Sequence, residues 1–381
     1  MTRVLVLCEH GTLNGGERSL LAVIDRLGEA GFELRVAAPP AGPLGEQLRV
    51  AGARWVPYEL RAAHEKPRTQ ADRRLALRAL LEEHAPDLVH ANNLMASRLS
   101  GPVAASLGIP SLGHLRDIMH LSSAAVRDLN RHPRLLAVSD AVRRFYTAEG
   151  VGSCRMHVLY NGVDLQRFRP RPPTGYVARE LHLASQAPLV LTVGQIGMRK
   201  GLDVLLEAAR LVLAIWPSGH FLIAGARYSN KREAIEYASR VRDESARGPL
   251  AGHVHFLGVR DDIERLLNEA TILVHAARQE PLGRVLLEAA AAGTPVVATD
   301  VGGTAEIFPP GSGAAELVPP DNPPALAAAM LRVLGSERLR ERMSAAGRRI
   351  AESRFGVEQA AQALAEHYRD VVHAPLAPPD R

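Results

Sequence analysis

The chain has 381 residues, of which 46% are hydrophobic, 23% charged and 4% aromatic. This composition excludes a disordered chain, and the length allows two domains with separate hydrophobic cores. Two cysteines, Cys8 and Cys154, exclude a disulfide framework, and the N-terminus reaches Glu9 too early for a signal peptide. We therefore expect a reduced, cytoplasmic protein. Its modest formal net charge of +5 gives no reason to expect a nucleic-acid partner.

The first half of the chain alternates between apolar strand patterns and helical patterns. The predicted strands are residues 3–8, 33–38, 54–57, 87–91, 110–114, 134–138 and 156–159. Helical patterns at 17–30, 70–84 and 95–107 separate several of them. Because strands that alternate with helices form parallel sheets, we predict a Rossmann-like doubly wound α/β domain at residues 1–165.

A second round of alternation follows residues 166–187, which are rich in proline and arginine and are predicted as a linker. The predicted strands are 189–193, 220–224, 253–257, 271–275, 295–298 and 315–318. The predicted helices are 202–214, 231–246, 263–269, 283–292, 324–334 and 337–353. We expect a second Rossmann-like domain at 188–356, with a helix at 357–372 packing back on the first. Ligands then bind at the carboxyl ends of the strands, in a cleft between the domains.

The strongest functional signal follows the predicted strand at 271–275. The segment reads Glu280-Pro281-Leu282-Gly283-Arg284-Val285-Leu286-Leu287-Glu288. Gly283 opens the predicted helix, whose first backbone N–H groups have no acceptor inside the helix and can bind an anion. Glu280 and Glu288 would be about 12 Å apart along a helix, too far for a hydrolase acid and base pair. Glu288 lies in an apolar stretch of the helix, which favours a specific partner over an exposed carboxylate.

A second motif is the turn between the strand at 189–193 and the helix at 202–214. It carries Arg199 and Lys200, and lysine occurs only three times in the chain. Fixed cations at a strand-to-helix turn suit a diphosphate leaving group, because its developing negative charge needs positive partners. The alternative is a pair of solvent-exposed cations.

Together these motifs resemble retaining glycosyltransferases of family 4, which have the GT-B fold. The resemblance implies a hexosyltransferase of carbohydrate biosynthesis that moves a sugar from a nucleotide-diphosphate sugar to a hydroxyl acceptor. It implies catalytic roles for Lys200, Glu280, His114 and Arg199. In this assignment Glu280 meets the transferred sugar, Lys200 stabilises the leaving phosphate and His114 positions the sugar. Gln195 stands where the family usually has an arginine, and Arg199 is the nearest substitute.

The same resemblance predicts how the donor is bound. The predicted donor-binding residues are Gly15, Gly16, Gln195, Val259, Arg260, Gly283, Arg284, Val285 and Glu288. Backbone N–H groups around Arg284 hold the diphosphate, and Glu288 binds the ribose. The turn at Val259 contacts the base through its backbone, so the sequence does not decide which base is bound. A UDP-sugar is the expected donor, and a GDP-sugar stays open. No cofactor and no metal are expected.

The acceptor side is less defined. Glu17, Arg116 and Asp117 are the predicted acceptor contacts, and the acceptor can be a glycan, a lipid-linked molecule or a small molecule. Residues 61–78, with Arg61 and Arg78 at their ends, hold six Lys or Arg residues. This basic stretch predicts peripheral contact with an anionic membrane, although a solvated helix face explains it equally well.

Several other functions stay open at this point. A GT-B epimerase would isomerise the nucleotide sugar alone, and a phosphorylase would require free phosphate. A non-catalytic protein would bind the nucleotide sugar without turnover, and Gln195 leaves room for that reading. A nicotinamide-dependent oxidoreductase is disfavoured because the chain lacks the Gly-x-Gly-x-x-Gly fingerprint.

Overall fold

A computed structural model describes residues 1–60 and 69–374, and these residues form two compact units. The first comprises Met1–Gly162 and the segment that starts at Gly356, and the second comprises Val163–Phe355. The predicted membrane contact at residues 61–78 falls partly outside the described residues. No helix within the described ranges is long and apolar enough to cross a membrane.

The first unit is built on a parallel sheet of seven strands within the described residues, in the order β3-β2-β1-β4-β5-β6-β7. The strands are β1 (Thr2–Leu7), β2 (Phe32–Ala38), β3 (Arg54–Pro57), β4 (Leu88–Ala91), β5 (Ser111–Leu115), β6 (Arg134–Ala137) and β7 (Met156–Val158). Strand order reverses between β1 and β4, as in a doubly wound sheet. The predicted Rossmann-like fold is confirmed.

Helices cover both faces of this sheet. They are α1 (Gly15–Leu21), α2 (Ile24–Glu29), α3 (Leu44–Val50), α4 (Gln70–His84), α5 (Leu94–Leu107), α6 (Ser123–Leu129) and α7 (Asp140–Ala148). The single helix predicted at 17–30 is wrong in one respect, because it is divided into α1 and α2. The N–H of Val23 donates to the carbonyl of Leu20 at 3.0 Å, a three-residue turn that ends α1.

The second unit repeats the architecture, with six parallel strands among its residues as described, in the order β10-β9-β8-β11-β12-β13. The strands are β8 (Leu189–Val193), β9 (His220–Ala224), β10 (Val254–Gly258), β11 (Ile272–His275), β12 (Val296–Thr299) and β13 (Ala315–Val318). The helices are α8 (Tyr176–Glu180), α9 (Leu202–Ile215), α10 (Arg232–Ser245), α11 (Ile263–Glu269), α12 (Arg284–Ala292), α13 (Thr304–Ile307), α14 (Pro323–Leu334) and α15 (Glu337–Arg354).

The last helix, α16 (Val357–His373), packs on the first unit. Leu364, Tyr368 and Val371 are buried in the same core cluster as Val4 of β1 and Phe32 of β2. The helix therefore completes the hydrophobic core on one face of the first sheet.

The segment predicted as a linker, residues 166–187, lies in the second unit. The carboxylate of Glu269 accepts hydrogen bonds from the backbone N–H groups of Thr174 and Gly175, at 2.6 and 2.8 Å. The hydroxyl of Tyr176 donates to Asp262 at 2.7 Å. These polar contacts hold the proline-rich segment against α11.

Candidate functional site

A largely buried ion pair joins the loop after β8 to the loop after β11. Nζ of Lys200 lies 2.5 Å from Oε2 of Glu280, and the two side chains are 16% and 8% exposed. Nε2 of His275, the last residue of β11, lies 2.8 Å from the same carboxylate oxygen. Because a carboxylate oxygen accepts hydrogen bonds, His275 donates from Nε2. Glu280 is thus held by one cation and one imidazole.

The electrostatic environment keeps this carboxylate ionised. Burial raises the pKa of Glu280, but the charge of Lys200 and the hydrogen bond from His275 outweigh burial and lower the pKa below its ordinary value. Burial, followed by the positive charge of Lys200, lowers the pKa of His275. At neutral pH Glu280 is therefore a carboxylate and His275 a neutral imidazole.

Two glycines allow the backbone to close around this group. Gly201, with a φ of 62°, approaches Ala276 so closely that a Cβ would lie 2.0 Å from its carbonyl oxygen. Gly302, with a φ of 55°, would place a Cβ 1.8 Å from the carbonyl oxygen of Glu280. The N–H of Gly303 donates to that same oxygen at 3.0 Å. Only glycine fits both positions, so the loops after β8 and β12 are locked to the loop that carries Glu280.

Arg278 braces the cationic turn from behind. Its guanidinium donates to both carboxylate oxygens of Asp203, at 2.9 and 2.8 Å, and to the carbonyl of Met198 at 2.8 Å. It also donates to Asp321 at 2.6 Å, and its backbone N–H donates to the carbonyl of Arg199 at 2.8 Å. The sequence prediction missed Arg278, because its partner Asp203 is 75 positions away and no motif links them.

The start of α12 has the geometry expected of an anion site. Gly283, with a φ of 101°, precedes the helix, and the N–H of Leu286 is bonded to the Gly283 carbonyl at 3.0 Å. In general the first backbone N–H groups of a helix point out of its start and can bind an anion. Nε of Arg284 lies 2.8 Å from Oε1 of Glu288, with both side chains less than one-fifth exposed. The predicted ribose-binding carboxylate is therefore paired with Arg284, one turn earlier.

The other predicted donor-binding residues of the second unit differ in their surroundings. Gln195 is exposed where β8 ends, and Val259 is 58% exposed after β10. Arg260 donates to the carboxylates of Asp262, at 2.9 Å, and Glu180, at 2.7 Å. These bonds raise the pKa of Arg260, and the guanidinium holds the pKa of Asp262 at about 2. Arg260 thus braces the predicted base-binding turn, and Val259 is presented to solvent.

In the first unit, Arg116 is the centre of a polar cluster at the carboxyl ends of β4 and β5. Its guanidinium lies 3.0 Å from Nδ1 of His114, 2.9 Å from Oδ1 of Asn92 and 2.7 Å from Oδ1 of Asn161. Because a guanidinium only donates, Nδ1 of His114 accepts. Burial, followed by the charge of Arg116, lowers the pKa of His114 well below its ordinary value, so the ring is neutral. Its single proton therefore sits on Nε2.

This Nε2–H of His114 is buried and has no hydrogen-bond partner among the described residues. A buried N–H without an acceptor is costly, so it fits a ligand oxygen. His90 stacks on His114 with ring centroids 5.7 Å apart, and its Nδ1 lies 2.7 Å from the hydroxyl of Tyr368. Burial lowers the pKa of His90 to about 3. The sequence prediction missed His90, whose pattern is that of an ordinary strand residue.

The remaining predicted residues of this unit divide into buried and exposed positions. Gly16 packs on Arg116, since a Cβ would lie 3.1 Å from its side chain. Glu17 is buried, and burial raises its pKa against the opposing effects of backbone hydrogen bonds and of the charge of Arg116. Gly15 and Asp117 are exposed. The structure therefore groups Gly16, Glu17, His114 and Arg116, with Asp117 next to them in sequence.

Across the residues that the structure describes, no group of three or more His, Cys, Asp or Glu side chains is arranged to hold a metal ion.

Comparisons with known proteins identify the family. The family model Glycosyltransferase Family 4 matches residues 13–167, and Glycosyl transferases group 1 matches residues 178–350. Phosphatidyl-myo-inositol mannosyltransferase of Mycolicibacterium smegmatis is 30% identical over 359 residues, which cover 89% of this chain and 86% of that protein. The chain belongs to glycosyltransferase family 4. The predicted family is confirmed, and the protein is a glycosyltransferase.

Two further comparisons bear on this glycosyltransferase. Spore coat protein SA of Bacillus subtilis is 30% identical over 245 residues, or 62% of this chain, and the chain covers 64% of its length, less than two thirds. HepE of Anabaena, solved in complex with UDP-glucose, superposes with a TM-score of 0.86 over 97% of this chain and 100% of HepE, at 21% identity. The predicted GT-B fold is confirmed.

Proposed function

We propose that this family 4 glycosyltransferase transfers a sugar from a nucleoside-diphosphate sugar to a hydroxyl acceptor, with retention of anomeric configuration. The observation that carries the proposal is the contact of Glu280 with Lys200 and His275, together with the position of Glu280 three residues before the glycine that opens α12. A sugar diphosphate needs three contacts: a cation and a helix N-terminus for the phosphates, and a carboxylate that accepts hydrogen bonds from the sugar hydroxyls.

In this proposal Lys200 and the first N–H groups of α12 bind the diphosphate. The ammonium of Lys200 is fixed by Glu280, so it offers a preorganised positive charge to the leaving phosphate. Arg199 adds positive potential, which also acts to lower the pKa of Glu280. Glu280 accepts hydrogen bonds from sugar hydroxyls, and Glu288 binds the ribose beside its partner Arg284.

The proposed reaction needs no enzyme nucleophile. The bond between C1 of the sugar and the phosphate oxygen breaks, and the acceptor oxygen bonds to C1 on the same face. The acceptor proton passes to the leaving phosphate, and Lys200 stabilises the negative charge that remains there. His114 donates its Nε2–H to a sugar oxygen, because its neutral tautomer is a donor at that atom.

The name of the mycobacterial relative combines mannosyl transfer with an inositol lipid, and HepE was solved with UDP-glucose. The HepE complex supports a nucleotide-sugar donor, and we propose a UDP-sugar first and a GDP-sugar second. For the acceptor we propose a hydroxyl-rich molecule, free or lipid-linked, that contacts Glu17 and Asp117 in the first unit. Arg116 is engaged by Asn92, Asn161 and His114, so its role is to hold the acceptor-side cluster together.

A donor screen followed by a transfer assay tests the proposal. UDP- and GDP-sugars are first compared by thermal shift, because a ligand that binds the folded state raises its melting temperature. The stabilising donor is then mixed with myo-inositol phosphate or with phosphatidylinositol vesicles in the presence of EDTA. We expect acceptor-dependent release of the nucleoside diphosphate. Stabilisation by no nucleotide sugar, isomerisation of the donor alone, or turnover that requires free phosphate would overturn the proposal.

A further inference from the structure

We propose that Glu280 is a specificity-determining residue that lets the enzyme distinguish the intact donor from the spent nucleoside diphosphate. This inference rests on the proposed function, since it concerns the same donor site. It adds a role for the ion pair itself: the carboxylate that receives the sugar also opposes rebinding of the product after the sugar has left.

The first step is the competition for Lys200. Its ammonium lies 2.5 Å from Oε2 of Glu280, so a diphosphate that binds this cation must draw it away from the carboxylate or share it. Glu280 is 8% exposed, and water therefore replaces little of what it loses. Weakening one side of a buried ion pair is costly, because the other charge stays behind without compensation.

The second step is what remains around the carboxylate. His275 still donates to Oε2 at 2.8 Å, but the neutral ring supplies a hydrogen bond and no charge. Arg199 contributes only at longer range, as the last of the groups that lower the pKa of Glu280. The carboxylate of Glu280 therefore needs further hydrogen-bond donors whenever a diphosphate is bound to Lys200.

The third step separates the two ligands. An intact donor brings sugar hydroxyls, which donate to the carboxylate and offset the partial loss of Lys200. A nucleoside diphosphate brings the phosphate charge without those hydroxyls, and it adds repulsion between like charges. Glu280 therefore favours binding of the nucleotide sugar and weakens binding of the nucleoside diphosphate. This difference promotes release of the product after transfer.

The experiment compares calorimetric affinities of UDP and UDP-glucose for the full-length enzyme and for Glu280→Gln, with GDP and GDP-mannose run in parallel. In the variant we expect tighter binding of the nucleoside diphosphate and weaker binding of the nucleotide sugar, so that the ratio of the two dissociation constants changes by about tenfold. Glu316→Gln is the matched control. It removes a carboxylate charge from an exposed pair with Arg332 in the same unit, and the ratio should stay unchanged.

The outcomes separate this inference from the proposed function. If the unmodified enzyme binds none of the four ligands, the proposed function fails. The inference is overturned if the unmodified enzyme binds them but Glu280→Gln weakens the binding of the nucleoside diphosphate as much as, or more than, the binding of its nucleotide sugar. Glu280→Ala serves as a second variant should the glutamine variant fold poorly, and the nucleoside diphosphate should again bind more tightly.

Discussion

The guanidinium of Arg116 donates to Nδ1 of His114 across 3.0 Å, and this one contact decides which nitrogen of the histidine carries the proton. The ring is buried and neutral, so the proton is left on Nε2, which has no partner within the described part of the chain. Arg116 is thereby a positioning residue for His114, which is the proposed substrate contact.

Replacing Arg116 by Met should allow both neutral tautomers of His114 to form. Two-bond ¹H–¹⁵N spectra of the histidine rings should show a single Nε2–H form in the unmodified enzyme and a mixture in the variant. We expect kcat/KM to fall by about tenfold, the value of one hydrogen bond of about 1.4 kcal/mol. Arg26→Met, which removes an exposed pair with Glu358 in the same unit, is the control. An unchanged His114 spectrum in Arg116→Met would refute the positioning role.

Replacing Arg278 by Met should loosen the turn that carries Arg199 and Lys200. The variant loses its bonds to Asp203 and to the Met198 carbonyl, and we expect the free energy of unfolding to fall by about 1–3 kcal/mol. Urea unfolding and turnover measure the two effects, and kcat should fall more than KM rises. Arg278→Lys should retain only part of the stability and turnover, because lysine cannot form the paired hydrogen bonds to a carboxylate.

The control for this prediction is Arg232→Met, because Arg232 is 91% exposed and pairs with Glu236 on the surface of α10. Its unfolding free energy should change by less than about 0.5 kcal/mol. Equal effects of the Arg278 and Arg232 substitutions would contradict a bracing role for Arg278.

Stability should fall on mild acidification because His132 is buried in its neutral form. Burial lowers its pKa from the ordinary 6.5 to about 4. Below pH 6.5 His132 is protonated in the unfolded chain but stays neutral in the folded chain. The free energy of unfolding therefore falls with pH until the pH reaches about 4. At pH 5 this histidine alone should cost about 2 kcal/mol relative to pH 7.

The measurement is denaturant unfolding at pH 7 and pH 5 for the unmodified protein, His132→Gln and Ser111→Ala. His132→Gln should lose less stability between the two pH values. Ser111→Ala removes the hydroxyl 2.9 Å from Nδ1 of His132 but keeps the titrating ring, so it should be less stable throughout with nearly the same pH dependence. Identical pH dependence in His132→Gln and the unmodified protein would contradict this assignment.

Local sequence was sufficient for the sheet architecture because most strands are apolar runs of the right length. The predicted strand at 315–318 and the helices at 70–84 and 263–269 agree with β13, α4 and α11 to the residue. The seven-residue helices α3 and α6 were not predicted, although α11, of the same length, was. The division of residues 17–30 likewise depends on a single turn at Val23.

The candidate site was only partly predictable for a different reason. Lys200 and Glu280 stand in recognisable motifs, so the chemistry of each was expected, but their direct contact joins residues 80 positions apart. In the sequence Arg260 has the features of a ligand-binding cation. Only its distances to Asp262 and Glu180 show that it forms ion pairs within the protein. Side-chain pairing across strands is a tertiary property, which single-sequence patterns do not encode.

Lys200→Met offers the most direct test of the central claim, which is that this lysine stabilises the leaving phosphate of a nucleotide sugar. The measurement is the single-turnover rate of sugar transfer with the donor and acceptor found by screening, for the unmodified enzyme and for the variant at equal saturation. Loss of one preorganised cation predicts a rate about 10²–10³-fold lower, with an unchanged circular dichroism spectrum. A Lys200→Met enzyme that transfers sugar at close to the unmodified rate would contradict the account.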